Sequence, residues 1–154
     1  MKTPPNNQLS KTELKVLNLF QRGYTSKEIG KRVKMSKRTV EIHSQNIQRK
    51  LNAVNITHAV ALAIYARVLK ICVTITMYNK MKLAELTPRN KEVLHYCQQG
   101  FALKQLEDKM GIDYETVKTH SKKAKQKLNA RNITHAVAIA IHVGVIEDYR
   151  RPIV

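Results

Sequence analysis

The stretch LNAVNITHAVALAIYA, beginning at Leu51, returns 77 positions later as LNARNITHAVAIAIHV from Leu128, with 12 of 16 positions identical. Extended without a gap from Leu9 opposite Leu86 to Leu69 opposite Ile146, the alignment keeps 24 identities in 61 positions. A 77-residue offset is too long for a stacked solenoid repeat, and two copies are too few for one. Each copy instead has the length of a small three- or four-helix domain. The sequence therefore divides into a first domain over 9–69, a linker over 70–85, a second domain over 86–146 and a tail over 147–154.

The helix signals repeat with the chain. Ser10 stands three residues before Glu13, the spacing of a capping box, and Val16, Leu17 and Phe20 form an apolar face before Gly23 ends the helix. In the second copy Thr87 caps, Pro88 takes the first helical position, and Val93, Leu94 and Cys97 line the face before Gly100. A short second helix is expected over about 25–33 with Ile29 and Val33 on one side, and over about 102–110 with Leu106 and Met110. Ser36 and Asp113 are strong N-caps for a longer third helix, which buries Val40, Ile47 and Leu51, or Val117, Ala124 and Leu128. Thr57 and Thr134 are read as caps of the repeated fourth helix. The fold class is all-α: two consecutive four-helix domains, each holding a helix-turn-helix unit.

The fourth helix is apolar on more than one face, so it must be covered on both sides. Val60, Ala61, Ile64 and Val68 are assigned to the domain's own core. Ala59, Leu62, Ala63 and Ala66, with Ala136, Ile139, Ala140 and Val143 in the second copy, are left for pairing with another fourth helix. The duplicated stretch is thus read as a docking surface.

Charge indicates the partner. Lys and Arg number 28 against 11 Asp and Glu, a formal net charge of +17. A field of that sign and size attracts polyanions, nucleic acid before anionic membrane. Both copies share it, with 12 basic against 3 acidic residues in the first and 10 against 5 in the second. Cys72 and Cys97 are too few for a disulfide framework or a zinc site, and the N-terminus has no apolar core of a signal peptide. The longest apolar stretch, over 59–66, is too short to span a bilayer. These features read as a soluble, cytoplasmic protein that does not engage membrane.

The residues at this spacing resemble the LuxR-type helix-turn-helix domain. The first copy carries Leu9, Glu13, Val16, Leu17, Gly23, Glu28, Ile29, Ser36, Thr39, Val40, His43, Ile47, Lys50, Leu51, Asn55, Thr57, Ala59 and Val60 at the family's positions. The second carries Leu86, Thr87, Arg89, Val93, Leu94, Gly100, Thr116, Val117, Lys118, His120, Lys127, Leu128, Asn132, Thr134, Ala136 and Val137. Departures include Thr12, Glu41, Asn90, Gln105, Asp113 and Ala124, and an Ile at 56 and 133 where the family has Arg. LuxR-type regulators commonly carry an N-terminal receiver or ligand-binding domain. Only eight residues precede Leu9 here, so neither phosphorylation nor a small autoinducer is expected to control the chain.

The resemblance implies that the third helices read double-stranded DNA. Glu41, Ile42 and Gln45 in the first copy, and Lys118, Thr119 and Lys122 in the second, then face bases. Glu41 can accept from a cytosine amino group, Gln45 can pair with adenine, Ile42 suits a thymine methyl, and Lys118 or Lys122 favours guanine. Phosphate contacts are assigned to Lys27, Lys37, Arg38, Thr39 and Lys50, and to Lys104, Thr116, Lys123 and Lys127. The repeated histidines, His43 with His120 and His58 with His135, have no second ligand at metal-binding spacing in their own copy, so they are read as core or interface residues. No nucleophile with its base, paired-carboxylate site or phosphate-binding glycine loop is present, so no catalysis, metal or cofactor is expected.

In the linker, Ile71, Val73, Ile75 and Met77 alternate with Cys72, Thr74, Thr76 and Tyr78, which suits either a short strand or an extension of the fourth helix. Its sixteen residues reach at most about 50 Å, enough for the two copies to pair within one chain; pairing of like copies in a homodimer is the competing geometry. The leading functional expectation is a sequence-specific DNA-binding transcription regulator, with RNA polymerase as a further candidate partner. An antagonist that captures another LuxR-type regulator, and a nonspecific nucleic-acid-binding protein, are the alternatives.

Overall fold

A computed structural model describes residues 8–70 and 86–150. Among these residues the chain forms eight α-helices and one 3-10 turn, with no strand. The first copy contains α1 (Lys11–Gln21), α2 (Ser26–Val33), α3 (Lys37–Leu51) and α4 (Ile56–Tyr65). The second contains α5 (Pro88–Gln98), the 3-10 turn Leu103–Gln105, α6 (Leu106–Met110), α7 (Tyr114–Lys127) and α8 (Ile133–His142). The linker reading, strand or helix, falls on residues 71–85 and so lies outside the described residues. None of the described helices is long and apolar enough to cross a membrane.

Local chemistry starts each helix. Ser10 Oγ accepts from the Glu13 N–H at 3.2 Å while Glu13 Oε2 accepts from the Ser10 N–H at 2.7 Å, a complete capping box. Thr25 and Glu28 repeat the arrangement at α2. Ser36 caps α3 and Asp113 caps α7, accepting from Thr39 and Thr116 N–H at 3.0 and 2.9 Å. Each such cap contributes about 1 kcal/mol to its helix.

Two expectations about helix starts are corrected. The fourth helices are capped by Asn55 and Asn132, whose side chains accept from His58 and His135 N–H at 3.0 Å each, rather than by Thr57 and Thr134. The helices open two residues earlier, which turns both threonines inward. The second short helix of the second copy is not continuous either: a 3-10 turn precedes a five-residue α6. Thr25 is replaced there by Ala102, which has no side-chain oxygen to cap the first turn; the Ala102 N–H is satisfied by Gln105 Oε1 at 2.8 Å.

Each copy builds its own core. Val16, Leu17, Ile29, Val40, Ile47 and Val60 are fully buried in the first, and Val93, Leu94, Leu106, Val117, Ala124 and Val137 in the second. Burial of a Val or Leu stabilises by about 1.5–3 kcal/mol, so each core can hold its three helices against a fourth. Leu51, expected in the core, is half-buried beside it.

One core contact is ionic. Lys50 Nζ lies 2.8 Å from Glu13 Oε2 and also donates to the Gln8 carbonyl at 3.1 Å, tying the end of α3 to the start of α1. Burial by itself would raise the Glu13 carboxyl, but the hydrogen bonds from Lys50 and Ser10 outweigh it and hold the group below its ordinary range. A depressed carboxylate contributes stability that is present above its unfolded pKa and lost as pH falls through the folded value. Denaturant unfolding at neutral and acidic pH is therefore expected to show a loss on acidification that is smaller in a Lys50→Met variant, where part of the linkage is already gone. Equal losses in both would remove the ion pair as a cause.

The two copies are packed against each other. Helix α4 lies on α8, α1 also touches α8, and α5 touches α4. At the crossing Thr57 and Thr134, 77 positions apart, share a buried hydroxyl–hydroxyl bond of 2.8 Å. Ala61 is buried in the core of the second copy, and Ala138 in that of the first. Among the residues assigned to pairing, Ala59 and Ala63 are buried in the first core beside Ala138, Leu62 is half-buried and Ala66 is exposed. Ala136, Ile139 and Ala140 are buried in the second core, with Val143 half-buried against it. The stripe that enters the neighbouring core thus runs through Thr57 and Ala61, one turn apart on the same face. Val68, expected in the first core, is 44% exposed.

Candidate nucleic-acid interface

A helix that reads DNA must be anchored on one side and bare on the other. In α3, Val40, Ser44 and Ile47 face inward, a spacing of four and three; in α7, Val117, Ser121 and Ala124 do the same. The remaining face is exposed. Glu41, Ile42 and Gln45 lie on it in α3, and Lys118, Thr119 and Lys122 in α7. Ile42 is 48% exposed, unusual for a large aliphatic side chain on a helix whose core face is already filled.

Short-range pairs tune these faces. Glu41 lies 3.3 Å from Lys37 one turn earlier, and Lys118 lies 2.9 Å from Glu115. Both pairs are solvent-exposed and can exchange partners at small cost. The Glu115 hydrogen bond raises the Lys118 ammonium above its ordinary range, so it stays charged.

The phosphate candidates divide by environment. Lys27, Lys37, Arg38, Lys104 and Lys123 are exposed, and Lys127 is half-buried. Thr39 Oγ1 is 2.8 Å from Ser36 Oγ and Thr116 Oγ1 donates to Asp113 at 2.5 Å, so both hydroxyls are held at the N-termini of α3 and α7. Lys50 points to Glu13 instead of outward. Its position at the family's Lys-Leu pair did not reveal this, because Glu13 is 37 residues away in the chain.

The histidines occupy the positions where the copies meet or pack. His58 Nδ1 accepts from Val54 N–H at 3.2 Å, and His135 Nδ1 accepts from Arg131 N–H at 3.3 Å. Burial first, and then the nearby Arg150 or Arg131 charge, lowers both rings below the ordinary histidine range. His120 Nδ1 is 3.3 Å from Asn90 Oδ1 inside the second copy.

The polar contacts between copies were not legible beforehand. Asn55 Nδ2 donates to the Gly100 carbonyl at 2.8 Å and Asn132 Nδ2 to the Gly23 carbonyl at 3.1 Å, a reciprocal pair across a pseudo-two-fold. Each cap thereby serves twice, with its oxygen on its own helix and its nitrogen on the other copy. Tyr65 Oη lies 2.5 Å from Gln98 Oε1 and 3.0 Å from the Glu147 carbonyl. The repetition of Asn55 and Asn132 was visible, but the partner carbonyl carries no side-chain signal.

Comparison with known proteins agrees with this geometry. The family model described as "Bacterial regulatory proteins, luxR family" (GerE) matches twice, over residues 7–63 and 84–140. The chain is similar to the transcriptional activator protein BjaR1 of Bradyrhizobium diazoefficiens, 40% identical over 65 residues, 42% of this chain and 27% of that one. It is also similar to the uncharacterized transcriptional regulatory protein YxjL of Bacillus subtilis, 37% identical over 67 residues, 43% of this chain and 31% of that one. The oxygen regulatory protein NreC of Staphylococcus carnosus is 46% identical over 48 residues, 31% of this chain and 22% of that one. The chain thus spans less than a third of the length of each of these relatives. No solved structure gives a significant match. With both copies matched in full sequence order, the chain belongs to the luxR family of bacterial regulatory proteins, and carries the family's domain twice.

Proposed function

We propose that this protein is a sequence-specific double-stranded-DNA-binding transcription regulator whose two helix-turn-helix domains act as one unit, paired through α4 and α8 within the chain. The observation that carries the reading is the pair of bare, base-capable faces on α3 and α7, held on two copies joined by reciprocal Asn–Gly contacts. In a pair of this kind each recognition helix enters a major groove, and the half-sites lie about one helical turn, 34–36 Å, apart. The faces differ in chemistry, so the half-sites differ in sequence. Glu41, Ile42 and Gln45 suit directional and apolar contacts to cytosine, thymine and adenine edges, and Lys118 and Lys122 suit guanine.

Binding without sequence preference is the second reading, and α7 favours it. Lys118, Lys122 and Lys123 are all exposed on that helix, and lysine neutralises phosphate without reading sequence.

Selection of duplexes from a random pool with the full chain separates the two. Two unlike half-sites about one turn apart are expected. Gln45→Ala should weaken binding about 10–100-fold and relax preference in one half-site only, while Lys122→Ala acts on the other. A pool with no enriched motif would leave only the nonspecific reading, and a perfect palindrome would point to pairing of like copies between chains.

A further inference from the structure

The contacts at the two edges of the inter-copy interface are not alike. At one edge Arg131, just before α8, reaches the first copy: its Nη2 is 2.8 Å from Glu28 Oε1, and its guanidinium sits 4.4 Å from the Tyr24 ring centroid. Arg32 sits over the same ring at 4.0 Å. The other edge is related by the offset of 77, and there Val54 replaces Arg131, Phe101 replaces Tyr24, Gln105 replaces Glu28 and Lys109 replaces Arg32. Val54 is 71% exposed, Gln105 is occupied by its own backbone partner, and Lys109 Nζ lies 4.9 Å from the Phe101 centroid.

We infer that the two copies are keyed to each other: the first copy's pairing surface selects the second copy of the same chain over a like copy from another molecule. This rests on the reading that α4 and α8 pair within one chain. The reasoning follows from what each alternative pairing would juxtapose. Two first copies would set Val54 against Tyr24, Glu28 and Arg32 at both edges, leaving Glu28 without Arg131. Two second copies would set Arg131 beside Lys109 and Gln105 at both edges, cation near cation with no carboxylate between them. The unlike pair alone places Arg131 on a carboxylate and an aromatic ring, and places an uncharged Val54 where the cationic edge tolerates it. The Asn55 and Asn132 bonds to glycine carbonyls recur in every combination, so they hold the pair without choosing it. Choice comes from the residues in which the copies have diverged, through one matched edge and the repulsion built into the wrong pairings.

The test uses the full chain carrying Cys72→Ser, with Thr57→Cys and Thr134→Cys at the crossing, where the two hydroxyls now lie 2.8 Å apart. Equilibration in a glutathione redox buffer, followed by non-reducing electrophoresis and mass spectrometry, reads the intrachain disulfide as a measure of the paired population. A disulfide within single chains is expected. Arg131→Val and Glu28→Gln should each lower its equilibrium constant about two- to fivefold, and together no more than Arg131→Val alone, since both remove the same ion pair. Glu28→Gln keeps the cap of α2, because Gln serves that position as well. Val54→Arg with Gln105→Glu, which copies the matched edge onto the other side, should raise the constant by a similar factor, and Val54→Arg alone should not. An intrachain disulfide unaffected by Arg131→Val and Glu28→Gln would overturn the keyed interface and leave pairing intact. Disulfides between chains, or none at all, would overturn the pairing itself and the proposal with it.

Discussion

Raising monovalent salt from about 50 to about 200 mM is expected to weaken binding of the full chain to duplex DNA about 500-fold. Each phosphate neutralised by a protein cation releases condensed counterions, and the logarithm of the affinity falls with that of salt by about 0.9 per phosphate. The formal charge of +17 does not set the slope, because most of these cations cannot face one duplex together. The cations assigned to phosphate that lie exposed are Lys27, Lys37, Arg38, Lys104 and Lys123. Lys50, which charge and family position alone would add, is held by Glu13 at 2.8 Å. Thr39 and Thr116 carry no charge to release. Five cations predict a log–log slope of about −4.5. Fluorescence anisotropy across a salt series measures it directly. Lys123→Ala should reduce the slope by about one, whereas Lys50→Met should leave the slope alone and lower stability instead. A slope near zero would end the phosphate assignment.

Gly23→Ala and Gly100→Ala are each expected to destabilise the folded chain by about 2–5 kcal/mol, from a backbone cost of about 1–2 kcal/mol and an overpacking cost of about 1–3 kcal/mol. Both glycines have positive φ, +79° and +93°, where a β-carbon is disfavoured. Both also receive the other copy: a β-carbon at Gly23 would lie 2.9 Å from Arg131 Cβ and 3.0 Å from His135 Cβ. At Gly100 it would lie 2.9 Å from Val54 Cβ and 3.2 Å from His58 Nδ1. Gly111 is the control. Its φ is +63°, yet nothing lies within 4 Å of the β-carbon it would gain, so Gly111→Ala should show the backbone cost alone. Urea unfolding of the three variants separates the terms. If Gly23→Ala and Gly111→Ala cost the same, the close approach between copies contributes nothing to stability.

How far the residues foretold this arrangement depends on the range of the interaction. Helix starts at Ser10, Ser36 and Asp113 could be read directly, because a cap and the N–H that donates to it lie within one turn. Thr57 and Thr134 yield the cap positions to Asn55 and Asn132 for a related reason. Asn and Thr are both competent caps, and the two neighbours at 55 and 57 compete until the tertiary structure gives the threonine another partner. The bare faces of α3 and α7 followed from helical period once Val40 and Ile47, or Val117 and Ala124, were placed inward. The direction of Lys50 did not follow, nor did the Arg131–Glu28 pair, since 37 and 103 residues separate those partners.

By itself the sequence determined that the chain is helical and doubled, that both copies have the luxR-type pattern, and that the charge favours a polyanion. These depend on local period, capping and composition, which act within a few residues or over the whole chain at once. Only the tertiary structure decided how the copies meet. The apolar wheel of α4 offered several faces of similar hydrophobicity, and burial alone does not choose among them. The choice falls to shape and polar matching at the crossing: Ala61 and Ala138 are small enough to enter the opposite core, Thr57 and Thr134 can satisfy one another, and Gly23 and Gly100 leave room for the incoming helix starts.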